Sequence, residues 1–86
     1  METKILPPNK VRWQCRRGML ELDILLISFF DQAYDTLTLS QQEAFIHLLE
    51  APDPDLYQWL MGQDVPENPI LKAIVECIRL RMLGTP

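Results

Sequence analysis

The residues that could do chemistry are few and scattered. There is one histidine, His47, and there are two cysteines, Cys15 and Cys77, with no CxxC spacing among them. A lone imidazole far in sequence from two separated thiols spells out no tetrahedral metal site. His47 therefore reads as an ordinary surface or half-buried helix residue, and no metal is expected. The chain contains no GxGxxG, GxxxxGK or GxSxG, so neither a nucleotide cradle nor a serine nucleophile has support. Residues 19–68 hold ten carboxylates and no Lys or Arg, so within that stretch no acid has a cationic partner. They read as a solvated face. The inventory singles out no nucleophile, acid–base pair or metal ligand, though one of the ten carboxylates could still serve as a general acid.

The one place where charges of both signs gather is Cys15-Arg-Arg-Gly-Met-Leu-Glu-Leu-Asp23. Arg12 with Arg16, and Trp13 with Arg17, lie four apart, a spacing that on a helix would make a basic stripe or a stacked pair. Charge placed at a helix C-terminus, where it complements the dipole, accounts for the arginines better than nucleic acid does, because the body of the chain is acidic. Arg17 and Glu21 flank Gly18, a residue without a side chain. Such a spot lets another backbone come close, with a donor fork and an acceptor beside it. Glu21 projects from the polar side of its helix and is not needed for the core. Asp23 instead projects into an apolar arc and must find a donor; its role reads as structural, with Arg12 or Arg16 as the expected partner.

Charge is distributed unevenly along the 86 residues. Residues 1–18 carry a balance of +4, residues 19–68 a balance of -10 and the remainder +2. A basic end on an acidic body disfavours polyanions, so no nucleic-acid partner is expected. No apolar run approaches the ~20 residues that span a bilayer, and METKILPPNK lacks the apolar core of a secretion signal. The expectation is a cytoplasmic protein with reduced thiols and no membrane insertion.

These residues must be positioned by helices. Hydrophobic residues make up 48% of the chain, with only 3 glycines, which argues for a folded domain and against a sandwich or barrel. Pro7-Pro8 closes a lead-in of residues 1–8, and Asn9 is expected to cap a short helix to about Arg17, with Gly18 past its end. A helix over 19–34 places Leu22, Leu26, Phe29, Phe30, Ala33 and Tyr34 on one side, with Ile24 and Leu25 at the polar margin. Ser40 and Glu43 match a capping box, opening a helix over 41–50 with Phe45, Leu48 and Leu49 inward. Asp53-Pro54 and Asn68-Pro69 each give a cap and a proline at the first helical position. The first opens a short helix ending at Gly62. The second opens a helix over 69–83 that buries Ile70, Leu71, Ile74, Cys77, Ile78 and Met82. The fold predicted is all-α, a compact bundle of about five short helices: one domain over 9–83 and a tail of 84–86.

The stretch RWQCRRGMLELD closely resembles the SdhE/YgfY-type flavinylation factors, bacterial relatives of mitochondrial succinate dehydrogenase assembly factor 2. Their RGxxE hallmark stands here as Arg17-Gly18-Met19-Leu20-Glu21. Trp13, Arg16, Asp23, FFDQAYDTL and LLEAPDPDLYQWLMG extend the agreement over residues 10–82. The resemblance implies a five-helix assembly factor that binds the flavoprotein subunit of succinate dehydrogenase and, in bacteria, that of fumarate reductase. It would promote covalent attachment of FAD to a histidine of that client, with no FAD held tightly by this chain. Carried over by position, Arg17, Gly18 and Glu21 form the client-binding core, with Lys10, Trp13 and Arg16 beside them on the basic end. The family has also been assigned an antitoxin role opposite a membrane-associated toxin; nothing in these residues speaks for it, and it ranks below flavinylation. Two readings compete from outside the family. A mutase gripping a dicarboxylate needs cations from several helices, and a helix-turn-helix DNA binder needs a basic recognition helix. The middle of the chain supplies neither.

Overall fold

The computed structural model describes residues 7–85. They form five α-helices: α1 (Pro8–Gln14), α2 (Leu20–Ala33), α3 (Leu39–Leu48), α4 (Asp53–Leu60) and α5 (Pro69–Leu83). A single 3₁₀ turn, Tyr34–Thr36, follows α2, and there is no strand among the described residues. The all-α bundle read from the sequence is the observed fold. Of the 1–8 lead-in, residues 1–6 lie outside the described residues, as does Pro86 of the tail.

The core is one apolar cluster to which every helix contributes. Leu22, Leu26 and Phe29 of α2 meet Phe45 and Leu48 of α3, Leu56 and Leu60 of α4, and Ile74 and Ile78 of α5. Phe29, Tyr34 and Phe45 pack ring against ring, with centroids 5.6 and 5.8 Å apart. Val11 and the buried Cys15 attach α1 and the turn after it to this cluster. α5 lies against α2, α3 and α4. α2 is central, as its wide apolar arc implies, but Leu25 is buried rather than marginal, because α2 is enclosed on more than one side.

The helix starts differ from expectation by a residue or two, each for a local reason. Pro8, not Asn9, begins α1. A residue before proline is held extended, and Pro7 accordingly sits at ψ 145° while its carbonyl accepts the first helical bonds from Lys10 and Val11. α1 stops at Gln14, three residues before Arg17. The capping box of α3 is Thr38–Gln41, not Ser40–Glu43. Thr38 Oγ1 accepts from the Gln41 N–H at 3.1 Å and Gln41 Oε1 accepts from the Thr38 N–H at 2.9 Å. Both boxes fit the pattern; the one two residues earlier directly follows the extended Leu37 and satisfies its donors. In α4 the cap position falls to Pro52, whose carbonyl accepts from Leu56, and the Asp53 carboxylate is engaged elsewhere. Asn68 caps α5 as read, its Oδ1 accepting from Ile70 at 2.8 Å and Leu71 at 3.3 Å. On α5 the buried set includes Val75, whereas Ile70 is exposed and Leu71, Cys77 and Met82 are half-buried.

Candidate functional site

The turn between α1 and α2, residues 15–19, holds Arg17, Gly18 and Met19 of the RGxxE motif, and Leu20 and Glu21 open α2. Because α1 ends at Gln14, Arg17 is not on a helix, and the stacking of Trp13 on Arg17 at helical spacing does not occur. The Arg17 side chain instead turns inward. Its Nε donates to Asp53 Oδ1 at 2.8 Å. Nη1 donates to the carbonyls of Gln14 and Leu49, both at 2.9 Å, and Nη2 to that of Ala51 at 3.0 Å. Four of its five N–H donors thus bind the end of α1, the α3–α4 connection and the start of α4. The ion pair with Asp53 explains why that carboxylate does not cap its own helix. The fork that sequence placed beside Gly18 is therefore spent inside the molecule, and what it does there is fix the turn.

Asp23 is half-buried and accepts the Arg17 backbone N–H at 2.6 Å. Its structural role stands, but the donor differs from the arginines expected: a turn that has left the helix frees a main-chain N–H to point back at α2. Arg12 pairs elsewhere, with Asp31, through Nε at 2.8 Å and Nη2 at 3.0 Å. This two-pronged bond holds the Asp31 carboxyl below its ordinary value and the Arg12 guanidinium above its own, and it ties α1 to the far half of α2.

With Arg17 and Asp23 anchoring the turn from beneath, its outer surface is left to the others. Gly18 has φ +88°, and a Cβ built on it meets no atom within 4 Å. Nothing in the fold excludes a side chain by crowding; the backbone conformation selects glycine, and the space above it stays open. Glu21, in the first turn of α2, is exposed and enters no ion pair among the described residues. Lys10 and Arg16 are exposed, and Trp13 is 71% exposed. Trp13 and Arg16 share a shallow cleft of about 250 Å³ with Asn9 and Arg12. An indole and charges that form no ion pair among the described residues are left in water at this end of the molecule; aromatic and arginine side chains are the usual anchors of protein interfaces.

One residue of this region escaped the sequence reading, and another was read only as marginal. Leu20, unread, and Ile24, placed at the polar margin, stand exposed, 71% and 55%, one turn apart on α2 and on either side of Glu21 in sequence. Their i, i+4 spacing, out of phase with the buried Leu22, Leu26 and Phe29, was the available signal. His47 is exposed on α3 with its Nδ1 3.3 Å from Glu50. Cys15 and Cys77 are free thiols, and no cluster of three metal-ligating side chains exists among the described residues. No helix among them is long and apolar enough to cross a membrane.

Comparison with known proteins bears on the same residues. Residues 9–82 match the Sdh5 family, described as "Flavinator of succinate dehydrogenase". The chain is 49% identical over 74 residues to the FAD assembly factor SdhE of Coxiella burnetii, covering 86% of this chain and 90% of that one. It is 49% identical over 82 residues to the SdhE of Colwellia psychrerythraea, covering 93% and 90%. The solution structure of a UPF0350 protein superposes with TM-score 0.73 at 46% identity, over 88% of this chain and 81% of that one.

Proposed function

The chain belongs to the Sdh5 family of succinate dehydrogenase flavinators, and on that premise we propose that it is an FAD assembly factor with no reaction of its own. It binds the flavoprotein subunit of succinate dehydrogenase in the cytoplasm and promotes covalent attachment of FAD to that subunit. FAD is the client's cofactor, not a resident of this chain. The flavoprotein of fumarate reductase, built around the same chemistry, is a second client.

The observation that supports this reading is the division of labour at the turn. Arg17 and Asp23 hold residues 15–19 from within, the space at Gly18 stays open, and Trp13, Arg16 and Glu21, within a few residues of it in sequence, are exposed. A preformed surface of this kind costs little ordering on binding. It can hold a client in the conformation where its own nucleophile reaches the flavin, a positioning effect rather than acid–base work. Lys10, Arg16 and Trp13 supply attraction and an aromatic anchor; Glu21 supplies an acceptor for a client donor.

The test is reconstitution. Purified apo-flavoprotein subunits of both enzymes are incubated with FAD, with and without this protein, and covalent flavin is read as fluorescence in a denaturing gel. The expected result is faster and fuller flavinylation with the protein present. Gly18→Asn, which tolerates positive φ but fills that open space, should keep the fold and lose most of the effect. Flavinylation that proceeds equally well without the protein would refute the proposal, and an effect confined to one flavoprotein would fix the client.

A further inference from the structure

α5 is apolar over more of its circumference than the bundle covers. Leu71, Ile74, Val75, Ile78 and Met82 face the interior, but Ile70, Ala73, Cys77 and Leu80 form a second stripe beside them, of which Cys77 is also packed against the edge of the core. These four recur at spacings of three, four and three, the a/d pattern of a helix seam. Ile70 and Leu80 are 61% and 58% exposed, Ala73 is exposed, and Cys77 is half-buried. The stripe borders an open groove of about 310 Å³, lined on the α3 side by Ser40, Gln41 and Ala44 and on the α5 side by Ile70, Ala73, Ile74 and Cys77. Small side chains there leave room for another helix.

We propose that this stripe is a self-association surface on which α5 of a second copy packs in parallel, in register. The charges on its borders choose the occupant and the direction. With Ile70 and Cys77 at a and Ala73 and Leu80 at d, Glu76 falls at g and Arg81 at e of the following heptad. Both are exposed, and neither enters an ion pair within its own chain among the described residues. In a parallel pair, Glu76 of one copy faces Arg81 of the other, five residues on, twice over by symmetry. An antiparallel pair would instead set like borders together, Glu76 against Glu76 and Arg81 against Arg81. The seam is short, so the dimer is weak and concentration-dependent. It stands on α5, which makes no substantial contact with α1, and so it does not depend on the docking reading of the α1–α2 turn.

Sedimentation equilibrium over a range of concentrations tests the proposal. The wild-type chain should dimerise reversibly. Leu80→Glu, at an exposed position, should keep its melting temperature and raise the dimer Kd more than about tenfold, a loss of about 1.4 kcal/mol. Glu76→Arg and Arg81→Glu should each weaken the dimer, and the double swap should restore it. Register is read with diamide, whose azo bond takes two electrons and two protons from two thiols. It should link Cys77 to Cys77 in the wild type and give no dimer in Cys77→Ser. A monomer at all concentrations overturns the proposal. So does a dimer indifferent to Leu80→Glu, or one in which Cys77 does not crosslink. A monomer whose flavoprotein binding is lost in Leu80→Glu overturns it too, and would give the stripe to the client instead.

Discussion

At the scale of single residues, Arg17 and Glu21 belong to one motif but do different jobs, and stability measurements should separate them. Removing the Arg17 side chain strands the Leu49 and Ala51 carbonyls and leaves Asp53 without its ion pair. Charge-assisted bonds at a partly buried site are worth more than surface pairs, so Arg17→Ala should cost about 2–3 kcal/mol. Arg17→Lys should recover only part of this, because a single ammonium cannot reach four acceptors lying in different directions. Glu21 is exposed and its side chain makes no ion pair among the described residues, so Glu21→Ala should change stability by less than about 0.5 kcal/mol. It should still weaken flavoprotein binding. Chemical denaturation beside a binding titration checks both. A Glu21→Ala protein as unstable as Arg17→Ala would place the carboxylate in the fold and remove it from the interface.

The elements are where sequence and structure can be compared in physical terms. The number of helices, the asparagine cap of α5 and, Leu25 aside, the inward faces of α2 and α3 were legible, since apolar periodicity and caps act over a few residues. The fate of Arg17 was not. Its partners lie at positions 14, 49, 51 and 53, and only the assembled bundle brings the α3–α4 connection to the α1–α2 turn. The end of α1 went unread for the same reason, because Arg17 leaves the helix to make those bonds. The positive φ of Gly18, past the end of α1, was legible from residue type. The α3 start was ambiguous because two boxes overlap, and mutation distinguishes them. Thr38→Ala should cost about 1 kcal/mol by removing the acceptor for Gln41, whereas Ser40→Ala, already inside the helix, should be neutral or slightly stabilising. Thermal unfolding of the two variants checks this. Equal losses would mean that the helix frays to the later box in solution.

At the scale of the whole molecule, α1 is the shortest helix and the one least enclosed, yet the docking surface proposed above depends on it. What fastens it is Val11 and Cys15 in the core, aided by Arg12 on Asp31. Burial pushes the Cys15 thiol up to about 12 from an ordinary value of 9.0, outweighing the pull of Arg17 and Arg12 toward the thiolate. The unfolded chain exposes that thiol and ionises it at the ordinary value. Stability from keeping it neutral is therefore complete below about pH 9 and falls as pH rises toward 12, because the unfolded state sheds a proton that the folded state retains. The urea midpoint of the wild type should accordingly drop between about pH 8 and pH 10, ahead of most of the lysine and tyrosine titration. Cys15→Ala should start lower, by about 1 kcal/mol for the cavity, but decline with a shallower slope over the same interval. Alkylation of Cys15 should likewise wait on opening of the core, while Cys77 reacts in the native state. Parallel slopes for the two proteins, or prompt alkylation of Cys15, would mean that α1 detaches from the bundle without global unfolding, and the docking surface would then be no more rigid than a loose end.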